Sequence, residues 1–262
     1  MTERKIKGAI VCHRRDEYGE IIVAEEGAKR SLYFGEGILQ SSLRLDQPGR
    51  LLEGYNQAMI SSLIFKHDPR SVLLVGLGGC SLVHFMLRAF PDCAVDVVEI
   101  RQQVIELAYD FFLLPKKNDN LRIFHAAGQD FIVQQEKGCR NYELIIVDAF
   151  DNDGPAADLS EKTFLNACRR RLKDDGICSF NLWSRPKDNF PSLYAAIQKS
   201  FEGNTLKLLP DEVSWNAIVF GFIRPLLSQD MAGYRQMART LEEEYDINFT
   251  KYLSYLCWQN FS

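Results

Sequence analysis

The chain has 262 residues, a length that fits one large domain or a large domain with a small appendage. Its 46% hydrophobic, 11% aromatic and 25% charged residues exclude disorder, a collagen-like chain and a disulfide scaffold. The formal charge of −4 gives no general attraction for nucleic acid or anionic lipid, and the longest apolar runs, at 143–150 and 217–223, are far shorter than the roughly 20 residues of a membrane span, so neither partner is expected.

Met1-Thr2-Glu3-Arg4-Lys5 contains no apolar stretch, so no signal peptide is expected there. Seven cysteines (Cys12, Cys80, Cys93, Cys139, Cys168, Cys178, Cys257) are scattered and never in C-x-x-C spacing. That usage favours a reducing, cytoplasmic setting over a disulfide framework or a zinc site. His13, His67, His84 and His125 also lack ligand spacing, and no metal is expected.

In chain order, the first elements are short and extended: Ile21-Ile22-Val23, Arg30-Ser31-Leu32-Tyr33-Phe34, and Ile38 to Leu43, with Gly35-Glu36-Gly37 as a hairpin loop between the last two. They predict a small β-sheet domain over residues 1–50. Leu52, Tyr55, Met59 and Leu63 then recur at helical spacing until His67-Asp68-Pro69 breaks the pattern, so 51–70 is read as a linking helix.

From Ser71 strands alternate with helices. Strands are expected at 72–75, 94–100, 121–124, 142–147 and 177–182, and helices at 82–90, 102–112, 130–136 and 163–172, with a turn at Gly176. A further strand at 217–223 precedes a helix whose Met231, Tyr234, Ala238, Leu241 and Tyr245 share one face, read as packing rather than cofactor contact. Strands this apolar are buried on both faces, which predicts an α/β fold with a parallel sheet covered by helices over 71–262.

Two features of that sheet bear chemistry. Gly76-Leu77-Gly78-Gly79-Cys80-Ser81 follows a strand and precedes a helix, so a ligand can approach the backbone closely. Glu99 ends the next strand, where its carboxylate can accept from both ribose hydroxyls. The pair points to a nucleotide or nucleoside site and leaves open a dinucleotide, as in a dehydrogenase, or a sulfonium nucleoside. Asp148 stands at the carboxyl end of Leu144-Ile145-Ile146-Val147, where open α/β sheets bind ligands, and Asp151 and Gly154-Pro155 follow. Two carboxylates in a recess can bind a cationic amine and take its proton; the alternative is an Asp pair that shapes a turn. Cys80 is read as a buried small side chain rather than a reactive thiol.

The order of this glycine turn, Val98-Glu99-Ile100, and Ile145-Ile146-Val147-Asp148-Ala149-Phe150-Asp151 followed by Gly154-Pro155-Ala156 and Leu159 resembles the spermidine synthase family of aminopropyltransferases. Gly37-Ile38-Leu39-Gln40, Tyr55-Asn56-Gln57 and Asp175-Gly176-Ile177 extend the likeness over most of the chain. The resemblance implies a Rossmann-like, S-adenosylmethionine methyltransferase-type parallel sheet with a small N-terminal β domain, and a homodimer. It implies transfer of an aminopropyl group from decarboxylated S-adenosylmethionine, a co-substrate and not a tightly bound cofactor, to a small-molecule di- or polyamine, leaving methylthioadenosine. In that scheme Asp148 accepts the amine proton, and Tyr55 and Asp151 hold the amine. Gln40, Glu99, Gly76, Gly78, Pro155 and Leu159 surround the nucleoside.

The chain also departs from the family pattern. An acid of the glycine motif that can bind the donor's amino group is Gly79 here, the Asp of Glu-Ile-Asp is Arg101, and a Gly-Asp pair near the adenine is Ala126-Ala127. A histidine of the linking helix is Ser61, and a tyrosine is missing near Glu212-Val213. Arg101 either pairs with a carboxylate or points to solvent. The missing acids leave two alternatives: methyl transfer from intact S-adenosylmethionine, and a non-catalytic scaffold.

Overall fold

The computed structural model describes residues 6–35, 37–134, 140–149, 162–184, 189–209, 215–227 and 230–257. Its first unit is an antiparallel meander in which β1 (Ala9–Asp16), β2 (Gly19–Glu26), β3 (Lys29–Phe34) and β4 (Ile38–Arg44) pair in sequence order. Period-two alternation turns Ile21, Val23, Leu32 and Leu43 into the main core, while Ile22, Ala24 and Tyr33 cluster on the opposite face. Strand β1 was not legible in the sequence, because it lies at the edge and leaves Ile10 and Val11 exposed beside its charged residues. Gly35 and Gly37 take positive φ between β3 and β4; Glu36 lies outside the described residues.

The linking segment is shorter than expected. Helix α1 (Gly54–Ile60) passes into a single 3-10 turn at Ser61–Ile64. The Ser61 and Ser62 hydroxyls donate back to the carbonyls of Ala58 and Met59 at 2.7 and 3.1 Å, and such bonds compete with the helical ladder and tighten its end.

The second sheet has eight strands. β5 (Ser71–Val75), β6 (Ala94–Glu99), β7 (Leu121–His125), β8 (Tyr142–Val147) and β9 (Leu172–Trp183) pair in parallel. β10 (Thr205–Leu208), β11 (Asn216–Phe222) and β12 (Leu256–Cys257) join by antiparallel pairing, so the sheet is mixed rather than wholly parallel. The order is β12-β10-β11-β9-β8-β5-β6-β7. It reverses between β5 and β8, and a crevice opens at such a switch point beyond the carboxyl ends of the strands.

Helices cover both faces. Val72, Leu74, Leu144 and Ile146 pack with α1, α2 (Ser81–Ala89), α3 (Gln102–Phe111), α7 (Met231–Tyr245) and α8 (Phe249–Tyr255). Leu73, Val75, Ile145 and Val147 pack with α4 (Gly128–Val133), α5 (Lys162–Arg171) and α6 (Phe190–Ser200). Gly176 lies within β9 rather than in a turn: the register slips between Tyr142 and Leu144, and a bulge absorbs the extra residues. Four more elements went unseen. α6 has Pro191 in its first turn, where proline costs no helical bond, and β10, β12 and α8 are too short for a periodic pattern. Among the described residues no helix is long and apolar enough to cross a membrane.

Candidate active site

The glycine turn sits over the switch point. Gly76 and Gly78 have φ of 101° and 51°, values that disfavour other residues. The Gly76 N–H donates to the Val98 carbonyl at 2.8 Å, and a Cβ on Gly76 would run into the carbonyl oxygen of Asp148. The turn and the end of β8 therefore touch backbone to backbone. Cys80 follows in the left-handed region at φ 62°. It is buried, and that burial, with Glu99 nearby, pushes its thiol up, which leaves it inert rather than reactive.

Glu99 ends β6 facing this turn. Its Oε2 accepts the Leu77 N–H at 3.0 Å and its Oε1 the Arg101 N–H at 2.9 Å. Burial pushes the carboxyl up, and these two bonds oppose the shift. Each oxygen keeps a further lone pair, so both can still accept from a ligand's hydroxyls.

Strand β4 closes the other side of the turn. Ser41 Oγ accepts the Gly79 N–H at 2.6 Å, and Ser81 Oγ donates to the Ser42 carbonyl at 2.9 Å. A Cβ on Gly79 would lie 2.7 Å from Ser41 Oγ and 3.0 Å from the Phe112 ring. Packing thus bears on the missing acid, since a side chain there would have to displace the Ser41 hydroxyl or the Phe112 ring. Gln40 donates from Nε2 to the Ile38 carbonyl at 3.3 Å, while its own carbonyl accepts the Tyr55 hydroxyl at 2.7 Å.

The amine half of the expected site lies across the crevice. The Asp148 N–H donates to the Val75 carbonyl at 2.9 Å, which fixes the residue at the tip of β8. Its Oδ1 accepts from Asn181 Nδ2 at 2.8 Å, and Asn181 Oδ1 accepts from Asn216 Nδ2 at 2.9 Å. Burial pushes the Asp148 carboxyl up to about 6, with the Asn181 bond acting against it. Tyr55, on α1, faces the same crevice: burial first, then Asp148 and Glu53, push its hydroxyl up. Asn181 and Asn216 were missed from the sequence. Ser179 and Asn181 do stand as alternate polar positions in a strand otherwise buried on both faces, and that anomaly was a usable signal.

Arg101 turns away from the crevice. Its guanidinium donates to both Asp16 carboxylate oxygens at 2.9 and 2.6 Å and to the Gly19 carbonyl at 3.0 Å, and it stacks over Phe34 at 4.2 Å. Of the two alternatives the carboxylate pairing is realised, with a partner in the N-terminal meander. Ser61 is buried and bonded to its own helix, and Ala126 and Ala127 offer no side-chain acceptor. Asp151, Pro155, Leu159, Glu212 and Val213 lie outside the described residues. Among the described residues no group of three His, Cys, Asp or Glu could hold a metal ion.

The spermine/spermidine synthase domain model matches residues 53–184. The chain is 34% identical over 238 residues to the polyamine aminopropyltransferase of Chromobacterium violaceum, a match covering 90% of this chain and 89% of that one. The crystal structure of spermidine synthase from Thermotoga maritima has the same fold, with a TM-score of 0.73 and 19% identity over 96% of this chain and 85% of that one. The mouse eEF1A lysine and N-terminal methyltransferase is 27% identical over 203 residues, which are 72% of this chain and 28% of that protein.

Proposed function

The chain belongs to the spermine/spermidine synthase family, and on that premise we propose that it transfers an aminopropyl group from decarboxylated S-adenosylmethionine to a di- or polyamine. The observation behind the mechanism is Asp148. Its carboxyl, pushed up to about 6, is ionised at neutral pH, so it can draw an ammonium group into the crevice and accept the proton that nitrogen gives up as it attacks. The freed amine nitrogen attacks the carbon bonded to the sulfonium in line. The new C–N bond forms as the C–S bond breaks, its electron pair goes to sulfur, and methylthioadenosine leaves.

In this reading Glu99 holds the ribose, Gly76 and Gly78 line the sulfonium end, and Gln40, Pro155 and Leu159 complete the nucleoside pocket. Tyr55 and Asp151 hold the amine. We divide the chain into a β domain at 1–50, a linking segment at 51–70 that holds α1, and a nucleoside-binding domain at 71–262, and infer a cytoplasmic homodimer, whose assembly state sedimentation velocity tests.

Methyl transfer is the second reading, favoured by one observation: Gly79 leaves the donor's amino group without the acid of the family motif. Incubation with decarboxylated S-adenosylmethionine and putrescine, spermidine or cadaverine separates the two. Methylthioadenosine release is expected. S-adenosylhomocysteine formed from intact S-adenosylmethionine makes the protein a methyltransferase, and neither product overturns both readings.

A further inference from the structure

We infer that Arg122, Arg140 and Arg171 form a binding site for a phosphate-type oxyanion, away from the crevice and independent of the transfer reading. The site is built around Asp96 of β6, which is wholly buried. Val95 and Val97 on either side of it pack toward the α2 and α3 face, so Asp96 faces α4 and α5. Its Oδ1 accepts from Arg122 Nε at 2.8 Å and from Arg140 Nη1 at 3.1 Å, and its Oδ2 from Arg122 Nη2 at 2.5 Å and the Tyr142 hydroxyl at 2.8 Å. These bonds fill the acceptor positions of a carboxylate.

Arg171, the last residue of α5, reaches the same cluster. Its guanidinium carbon lies 5.5 Å from the centre of the Tyr142 ring and 5.8 Å from that of Phe131 on α4, and its Nη2 donates to the Arg140 carbonyl at 3.2 Å. The residue is only 1% exposed, yet its Nε and Nη1 have no acceptor. Asp96 has no lone pair left to offer them. Glu143, next to Tyr142 in sequence, is taken by Lys173 Nζ at 3.1 Å and the Arg70 N–H at 2.6 Å.

Three guanidinium groups thus share one saturated carboxylate, and buried donors without an acceptor are a cost to the fold that a bound acceptor recovers. A phosphoryl group supplies three acceptor oxygens and a charge of about −1.5 to −2 near neutral pH, which offsets the excess, and guanidinium forks match its geometry. The Arg122 and Arg140 side chains are 45% and 33% exposed, so the cluster opens to solvent on their side, with Arg171 at its inner wall. Tyr142 begins β8 and Asp148 follows its end, which puts on the order of 20 Å of strand between this site and the crevice.

Free phosphate and a phosphate ester carry the same group, and calorimetric titration with sodium phosphate and with glycerol 3-phosphate, at constant ionic strength in sodium chloride, distinguishes them. Saturable binding with Kd below about 1 mM is expected for at least one, and the tighter probe names the source. Arg171→Met should weaken it at least tenfold, and Arg140→Gln, at a partly exposed position, should weaken it severalfold. Arg50→Gln removes the same charge from an exposed arginine that pairs with Asp246, and should leave Kd within about twofold. In thermal scans the tighter probe should raise Tm of the wild type and not that of Arg171→Met. No saturable binding of either probe, equal weakening in Arg50→Gln, or a Kd unchanged in Arg171→Met overturns the site. Should Arg171→Met not fold, an unchanged Kd in Arg140→Gln overturns it equally.

Discussion

Asp148 is held between two opposing influences: burial favours its protonated form, and the Asn181 amide favours the carboxylate. Turnover needs the carboxylate, so activity should fall as pH drops through about 6. The stability effect has the opposite sign. A carboxyl raised from 3.8 to about 6 binds its proton more tightly in the folded chain, so it lowers stability progressively as pH rises across that window. Asp148→Asn should therefore raise Tm by a few degrees at pH 7.5, on the order of 2 kcal/mol, with the gain vanishing near pH 4 in thermal denaturation scans. The same variant should lose about 100-fold or more in turnover while binding the nucleoside as before. Asn181→Leu should move the acid limb of the pH–rate profile up by about one unit, and Asn216→Leu should move it less in the same direction, since it only frees Asn181 to rotate. An acid limb that stays in place in both variants would remove the amide row from the mechanism. Glu99 and Asp148 were legible in the sequence because each ends an apolar run. Asn181 showed only as a polar position in a buried strand, and Asn216 owes its place beside it to the pairing of β9 with β11, which no local pattern displays.

The contact between β4 and the glycine turn decides what an element can tolerate. Restoring an acid at position 79 looks like a repair when only the sequence is considered, but its Cβ meets Ser41 Oγ and the Phe112 ring. Gly79→Asp is expected to destabilise by about 1–3 kcal/mol in chemical denaturation and to leave affinity for the decarboxylated donor no higher. Tighter donor binding in that variant would show that β4 yields. The larger parallel strands and their helices were readable from periodicity, because burial on both faces leaves long apolar runs. Edge and short elements were not: β1 exposes both its apolar and its charged residues, and α1 stops early at serines whose back-bonding an apolar stripe does not register.

Across the whole molecule, the buried Arg101–Asp16 pair fastens the meander to the larger sheet, with side chains only 5% and 7% exposed. Removing one partner leaves the other charge buried and alone. Asp16→Ala should cost about 3–5 kcal/mol and lower Tm by roughly 10 °C, whereas the double change Asp16→Leu with Arg101→Met should recover most of that loss. A single variant as stable as the wild type would mean that the sheets are held together by apolar contact alone. The sequence showed that position 101 had changed character, but not that its partner lay 85 residues away.

The pairing of β1 to β4 strictly with chain neighbours has a kinetic consequence. Contacts between neighbours close short loops and form early, whereas β5 must find β8 across two intervening strands and their helices. All three tryptophans, Trp183, Trp215 and Trp258, follow the meander in the sequence, and Trp183 ends β9 of the large sheet. Refolding followed by tryptophan fluorescence should therefore report the late assembly of the large sheet, and far-ultraviolet circular dichroism should show an earlier phase that has no fluorescent counterpart.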